Sequence, residues 1–516
     1  MSEPRTIIVG AGIGGLTSAA LLAAQGYDVT VVEAAGHPGG KVRQDVVGGT
    51  AIDAGPTVFT KRPIFDAIFE ACGASLDDHI RLTPASILAR HAWGDDRLDL
   101  FADPDASEDA IGDFAGTGAA RGYARFCAEA RRVHDTIDKP FMRSAKTSAP
   151  GLVWRIATQR PRDLFVMRPF ESLWKVLGDY FPDPRLRQLF GRYATYCGSS
   201  PFRAPSTLML IAHVEAEGVW FVDGGLSALA RALEAVAVKN GAKFRYNARV
   251  DRILTDNGRT SGVQLANSER LHADTVVLNA DSAALAAGLF GVSTGIPYPA
   301  VARSLSAMTF LGNVKADGFP LTHHNVFFSD DYRAEFDAFG RGQLATKPTA
   351  YICAQDRLDH SNQNAPERLQ IIINAPANGD THHYSDQEID TCRTAMLATL
   401  AQSGLTLAGD LQATTPTDFA TRFPATGGAL YGRASHGWAA SFRRPGARTT
   451  IPGLYLAGGS THPGAGIPMV ALSGQLAAVS IMSDRASTRS FRRWAMPGGI
   501  STQSATPMDP MAAASG

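Results

Sequence analysis

Short apolar runs divided by glycine turns organise the two ends of this chain. Thr6 to Val9 is one such run, the pattern of a strand buried on both faces. Gly10-Ala11-Gly12-Ile13-Gly14-Gly15 follows, then Leu16 to Ala24 with helical composition, ending near Gly26. Tyr27 to Glu33 reads as a second strand, so the chain opens as a βαβ unit. Regular patterning returns near Val219. Gly224-Gly225 precedes a helical run from Leu226 to Val238, and Lys243 to Ile253, Gly262 to Leu265 and Ala273 to Asn279 read as strands. Pieces such as Ala350 to Ala354 and Leu369 to Asn374 predict a separate antiparallel sheet within 300–415. Pro452 to Pro468 predicts a last strand and turn, with a helix from Met469 to Ile481 behind it. The middle, about 60 to 200, carries helical segments without one clear period. After Asp484 the chain turns rich in Ala, Ser, Pro and Gly, which predicts a disordered tail.

Composition narrows the function classes. Lys+Arg and Asp+Glu both count 49 in 516 residues, so no net field attracts nucleic acid. The 45% hydrophobic fraction and 51 glycines fit an α/β enzyme. Five cysteines without a C-x-x-C argue against a disulfide framework or thiolate zinc site and for a reducing compartment. The glycine loop begins at Gly10, so no signal peptide is expected. Gly453 to Met482 holds no Asp, Glu, Lys or Arg, but its glycines and prolines predict a strand, a turn and a buried helix rather than a membrane span.

Gly10, Gly12 and Gly15 satisfy G-x-G-x-x-G. The first glycine makes a tight turn, the second admits a pyrophosphate, and the third lets helix pack on strand. Gly14 lies inside the same loop. A helix N-terminus then offers unpaired N–H groups to phosphate. Glu33, ending the second strand, suits an adenosine ribose and disfavours a 2′-phosphate. Gly39-Gly40-Lys41-Val42-Arg43 resembles the second glycine motif of two-domain flavoproteins, whose basic residue sits over the pyrophosphate. Asp53-Ala54-Gly55-Pro56 is another element of that superfamily, so FAD is favoured over NAD. Near the C-terminus, GGSTHPGAGIP from Gly458 to Pro468 feeds a helix and suits the flavin edge where negative charge grows on reduction; Gly459, Gly466, Ile467 and Met469 are its candidate contacts.

With these motifs the chain resembles the bacterial carotenoid desaturases, the phytoene desaturase-like flavoproteins, from residue 5 to about 483. The most specific match is GLYLAGGSTHPGAGIPMVALSG, Gly453 to Gly474. Leu189 to Leu229 and Ala273 to Asp281 match as well. TAYICAQDR (Thr349 to Arg357) and FPATGGALYG (Phe423 to Gly432) look like the 1-hydroxycarotenoid 3,4-desaturases of purple photosynthetic bacteria. The resemblance implies an α/β two-domain flavoprotein with a Rossmann-like FAD-binding domain, a mixed or antiparallel-sheet substrate domain and a helical membrane-associated part. It divides the chain into FAD-binding segments 1–85, 216–290 and 426–484, a helical and membrane-associated region 86–215, a substrate sheet 291–425 and a tail 485–516. It also places Val250 beside the adenine through its backbone.

The implied reaction removes two hydrogens across a C–C single bond of an acyclic carotenoid, with a quinone or oxygen as final electron acceptor. The catalytic base is unassigned: His462, Tyr431 and Arg192 are weak candidates, with Asp223 and Tyr196 beside them. A carotenoid must be taken from a bilayer, which implies a peripheral position on the cytoplasmic side of the bacterial membrane. Arg143 to Lys175 supplies a candidate surface, with Arg143, Lys146, Arg155, Arg160, Arg162, Arg168 and Lys175 interleaved with Trp154, Phe165, Phe170 and Trp174; Arg489 to Trp494 is a weaker one. His323-His324 and His382-His383 are set aside as metal ligands because neighbours on a strand face opposite ways. The alternatives are a phytoene desaturase, an amine oxidase with Tyr431 and Trp438 as an aromatic cage, and a prenyl-binding module like the Rab GDP-dissociation inhibitors. The intact glycines and Glu33 argue against the last.

Overall fold

A computed structural model describes residues 4–145, 148–159, 168, 170–293, 295, 297–357 and 366–494. Five short strands form one all-parallel sheet in the order Lys243–Arg245, Asp28–Val32, Arg5–Val9, Thr275–Leu278 and Leu454–Leu456. Each central strand is an apolar run because both faces are covered, one by helices such as Ile13–Ala24 and the other mainly by the strands Val250–Asp256 and Arg259–Leu265. Three distant parts of the chain thus build one nucleotide-binding sheet.

The helix Ile13–Ala24 is buried along almost its whole length and has no polar face. It packs between the helices Ser227–Lys239 and Ile467–Trp494. The last helix comes in close because residue 474 is glycine: a Cβ there would stand 2.3 Å from the Gly14 carbonyl oxygen. Ser18 Oγ lies 2.9 Å from the carbonyls of both Gly14 and Gly474 and ties the first helix to the last. By length and composition Ile467–Ser487 is apolar enough to cross a membrane, yet more than half of its most apolar stretch is buried against this core.

The second large sheet has eight strands and is antiparallel except where His324–Phe327 meets Ile87–Trp93 in parallel. Its centre is Ser306–Asp317, Glu367–Ala375 and Ala350–Ala354. Gln355 fastens this sheet to the nucleotide-binding part: its side chain accepts from Asp53 N at 3.0 Å and donates to Asp53 O at 2.9 Å. A layer of helices including Thr117–Ile137, Pro184–Gly191 and Leu210–Ala216 packs a third apolar core around Phe126, Phe181 and Phe190.

Three boundaries differ from expectation. The region beginning at 86 opens with the hairpin Ile87–Trp93 and Asp96–Phe101, which belongs to the substrate sheet rather than to a helical layer. Lys243 to Ile253 is two strands in two sheets, because the chain turns at Asn247, which takes φ 52°. The C-terminal helix does not stop at Ile481, nor at the expected tail boundary of 484, but runs from Ile467 to Trp494. Asp484 is tied to Arg448 and to the Tyr455 hydroxyl, and Arg485 covers the Tyr27 ring at 5.1 Å, so tertiary contacts overrule the polar composition. Residues 495–516 of the expected tail lie outside the described residues. All five cysteines are free thiols.

Candidate active site

The helix Ile13–Ala24 begins with Gly12 as its N-cap, with no side chain capping it and no acid in its first turn. Its first N–H groups are left for a ligand, the arrangement that binds phosphate. Gly12 bridges to Gly39, and Gly39 N donates to Ala11 O at 2.8 Å, so the two glycine motifs form one cradle. A Cβ at Gly40, whose φ is 62°, would stand 3.3 Å from the Gly12 Cα. Glu33 stands at the next strand end. One carboxylate oxygen accepts from Ala11 N and the other from Ala35 N, both at 2.7 Å. A carboxylate has about four acceptor positions, so half remain for a ribose. Ala248 N donates to Glu33 O at 2.8 Å, which brings the buried Val250 to this same edge.

The C-terminal loop meets this cradle directly. A Cβ on Gly14 would lie 2.9 Å from the Gly458 amide nitrogen, and the Asn279 side chain fills the space between the loops. Asn279 Nδ2 donates to Gly10 O at 3.3 Å, and its amide would stand 2.7 Å from a Cβ on Gly12 and 2.8 Å from one on Gly14. Gly458 N donates to Ser473 Oγ at 2.7 Å, and Ser282 N to Ser460 Oγ at 2.8 Å. Gly459 O accepts from buried Arg444 at 2.8 Å. Gly466 is exposed, Ile467 is buried, and Met469 lies between the nucleotide-binding core and the helical core. The two ends of the chain therefore enclose one site.

Lys41 does not turn its amine back over the glycine cradle. Its Nζ donates to Leu430 O at 2.6 Å and sits 5.0 Å from the Phe423 ring centroid. Burial pulls this amine down, with Asp281 opposing. The Arg43 side chain is occupied by Asp45. Arg444 donates to Tyr431 O at 3.0 Å and to Arg433 O at 2.6 Å, so one guanidinium holds the Gly459 loop and the Tyr431 segment together.

Beyond Tyr431 the site opens into polar side chains. Arg192, Tyr196, Cys197, Tyr351 and Tyr431 lie deep in the protein, yet each keeps some accessible surface. Arg192 donates to Tyr196 Oη at 3.1 Å, and its guanidinium is 5.1 Å from the ring centroids of both Tyr196 and Tyr351. Burial pushes the Tyr431 hydroxyl up to about 12, so it stays protonated at neutral pH.

The remaining candidates fall elsewhere. His462 is buried, with its Nε2 2.9 Å from Phe141 O and 3.2 Å from Ser144 O. With Nε2 donating to these carbonyls, His462 ties the loop to the stretch that holds Phe141 and Ser144. Asp223 is exposed and lines no deep site. Trp438 is exposed and meets Phe170 edge-on at 5.6 Å, so it forms no cage with Tyr431. His323 precedes its strand rather than lying on it, so the opposite-face argument fails there. The His323 and His324 rings are 4.6 Å apart, and Cys353 Sγ is 3.5 Å from His323 Nε2. Burial pushes the Cys353 thiol up, which disfavours the thiolate that a metal requires. His382 pairs with Glu388 at 2.8 Å. Asn279 and Arg444 carry the architecture of the site without a sequence signature of their own, although Asn279 lies within a family-like stretch.

The flavin containing amine oxidoreductase family model matches residues 13–482. The chain belongs to the flavin-containing amine oxidoreductases. Within that family it groups with the carotenoid desaturases. It is 49% identical to hydroxyneurosporene desaturase of Rubrivivax gelatinosus over 98% of this chain and 99% of that one. It is 45% identical to the hydroxyneurosporene desaturase of Cereibacter sphaeroides (94% and 98%) and 31% identical to a zeta-carotene-forming phytoene desaturase of Myxococcus xanthus (99% and 98%). An oxidoreductase from Methanosarcina mazei shares the fold with a TM-score of 0.60 at 17% identity, covering 93% of this chain and 100% of that one. Putrescine oxidase does so at 0.56 and 13%, covering 93% and 99%.

The family cofactor is FAD, and the residues present fit it. The open helix N-terminus and the Gly12–Gly39 cradle suit the pyrophosphate, Glu33 the ribose, and the Gly458–Met469 segment the ring. Bound FAD supplies a two-electron acceptor; the protein positions it and excludes water. Glu33→Ala is expected to weaken FAD binding by about 1–3 kcal/mol, the scale of losing a charged acceptor. Titration of the apoprotein with FAD measures this, and an unchanged dissociation constant would show that the ribose lies elsewhere.

Proposed function

We propose that this protein is a carotenoid desaturase that removes two hydrogens across the C-3,4 bond of an acyclic 1-hydroxycarotenoid or its 1-methoxy counterpart. The observation that carries this reading is 49% identity to a hydroxyneurosporene desaturase, sustained over 98% of the chain. Similarity of that extent covers the cofactor cradle and the substrate sheet alike. The half-buried aromatic side chains of Tyr196, Tyr351 and Tyr431 support it, since they suit a polyene. An allylic C–H is the weak bond of such a substrate, so the protein's task is placement and exclusion of water. A quinone or oxygen is the terminal acceptor in this reading. Anaerobic mixing with 1-hydroxyneurosporene should bleach the flavin and yield a carotenoid two hydrogens lighter, while amines leave the flavin oxidised. Bleaching by an amine alone would overturn the reading.

The same reading requires access to a bilayer, and the protein is proposed to bind the cytoplasmic membrane face peripherally. Trp154 is 68% exposed, Phe170 80% and Trp438 46%, and the exposed Arg143 and Arg155 lie in the same region of sequence as the first two. Exposed aromatics with basic neighbours suit an anionic interface. The patch is narrower than its sequence suggests. Trp174 packs inward on Phe202, Arg168 pairs with Glu171 and Asp179, and Lys175 pairs with Glu171. Lys146, Arg160, Arg162 and Phe165 lie outside the described residues. Arg489 to Trp494 belong to the C-terminal helix. Replacing Arg155, Arg160 and Arg162 with Glu should lower binding to anionic vesicles more than tenfold, at about 1 kcal/mol per basic residue. Undiminished cosedimentation would remove this surface from the account.

A further inference from the structure

Beyond Tyr431 stands a cation, Arg192, with carboxyls nearby but none in direct contact. Arg192 forms no ion pair among the described residues, and its guanidinium donates to Tyr196 Oη at 3.1 Å. A guanidinium has five N–H donors, so most of its hydrogen-bonding capacity is unspent. Two carboxyls lie nearby: Glu215 accepts from the Tyr193 hydroxyl at 2.8 Å and faces Tyr196 as well, and Glu335 accepts from the Thr349 hydroxyl at 2.8 Å. Arg192 is therefore held by two ring faces and one phenol, with Glu215 one hydrogen bond further away. A guanidinium so placed, deep in the protein with donors unspent, suits an occupant that brings an acceptor.

This cluster stands next to the reacting end of the site. Gly198, just after the segment Arg192–Cys197, packs so closely on the Tyr431 ring that a Cβ there would be 2.4 Å from a ring carbon. The Tyr431 carbonyl and Gly459 carbonyl share the Arg444 guanidinium. The Arg192 charge is felt at Tyr431, Tyr351 and His324. Under the function proposed above, C1, the carbon that carries the substrate oxygen, is separated from C3 by C2 alone. A polar group that reads this oxygen must stand beside the reacting carbons, not at the far end of the polyene.

We propose that Arg192, supported by Tyr196, binds the oxygen on C1 of the carotenoid and so sets which C–C bond lies against the flavin. Arg192 and Tyr196 are specificity-determining positioning residues in this account. Arg192 donates, and the substrate oxygen accepts, so both a hydroxyl and a methoxy end are read. The inference rests on the carotenoid reading of the site.

The test compares FAD-loaded enzyme and variants on vesicle-borne 1-hydroxyneurosporene and its 1-deoxy analogue. Wild type should prefer the hydroxylated substrate. Arg192→Met should lower that preference, as a ratio of kcat/KM, by about 100-fold or more, with the 1-deoxy substrate unaffected or improved. Tyr196→Phe should lower it about tenfold, and Arg192→Lys should restore part of it, since a donor remains. A preference unchanged in Arg192→Met, or equal losses on both substrates, would overturn the proposal. Should Arg192→Met fail to retain FAD, Tyr196→Phe and Arg192→Lys decide the matter by the same ratio. Equal conversion of both carotenoids by wild type would sink the inference and leave the desaturase function standing. Conversion of neither would remove both.

Discussion

The close contact between the loop at Gly10–Gly15 and the loop at Gly458–Gly466 governs the rest of this structure. Backbone can approach backbone there only because side chains are missing. A Cβ on Gly14 would stand 2.9 Å from the Gly458 nitrogen, and one on Gly474 would stand 2.3 Å from the Gly14 carbonyl oxygen. Asn279 occupies the remaining space and donates to Gly10 O. Its own backbone N–H donates to Val9 O at 2.8 Å, so the side chain is aimed by the central strand pair. Three segments far apart in sequence are thereby fixed around one cofactor.

From that contact the coupling runs outward through few groups. Arg444 joins the Gly459 loop to the Tyr431 segment, and Lys41 joins the second glycine motif to Leu430. Asp53 accepts from Leu226 N at 2.5 Å, at the start of the helix Ser227–Lys239, while Gln355 holds its backbone from the substrate sheet. Buried cations in this network spend their donors on backbone carbonyls, so they set distances between loops. Arg192 differs in keeping most of its donors unspent, and that difference is what the proposed role in substrate placement rests on.

What the sequence made legible follows from local physics. The βαβ opening is plain because buried parallel strands are apolar on both faces and the turn between strand and helix admits only small residues. Ala350–Ala354 was readable as a strand for similar reasons. The break inside Lys243 to Ile253 was not, because both halves favour strand and only Asn247, in a left-handed conformation, divides them. The helical extension past Asp484 was hidden because its support is tertiary: Arg448, Tyr455 and Tyr27 lie far away in sequence. Arg444 and Asn279 carry the site through tertiary partners, Asn279 across hundreds of positions, and no spacing rule exposes such residues. His462 lies in a flavin-facing motif, and its Nε2 faces the carbonyls of Phe141 and Ser144. Proximity in sequence to a reactive loop is therefore weaker evidence of catalysis than an unspent donor or acceptor.

The central claim is that both ends of the chain grip one FAD through the space that Asn279 fills. The direct measurement is the FAD dissociation constant of Asn279→Leu, read by flavin fluorescence, beside the circular dichroism of the apoprotein. Loss of this half-buried amide should cost about 1–3 kcal/mol, which is roughly fivefold to 150-fold in affinity. The account predicts that weakening with the apoprotein still folded. Wild-type affinity in a folded Asn279→Leu protein would contradict it, because the two loops would then hold the cofactor independently.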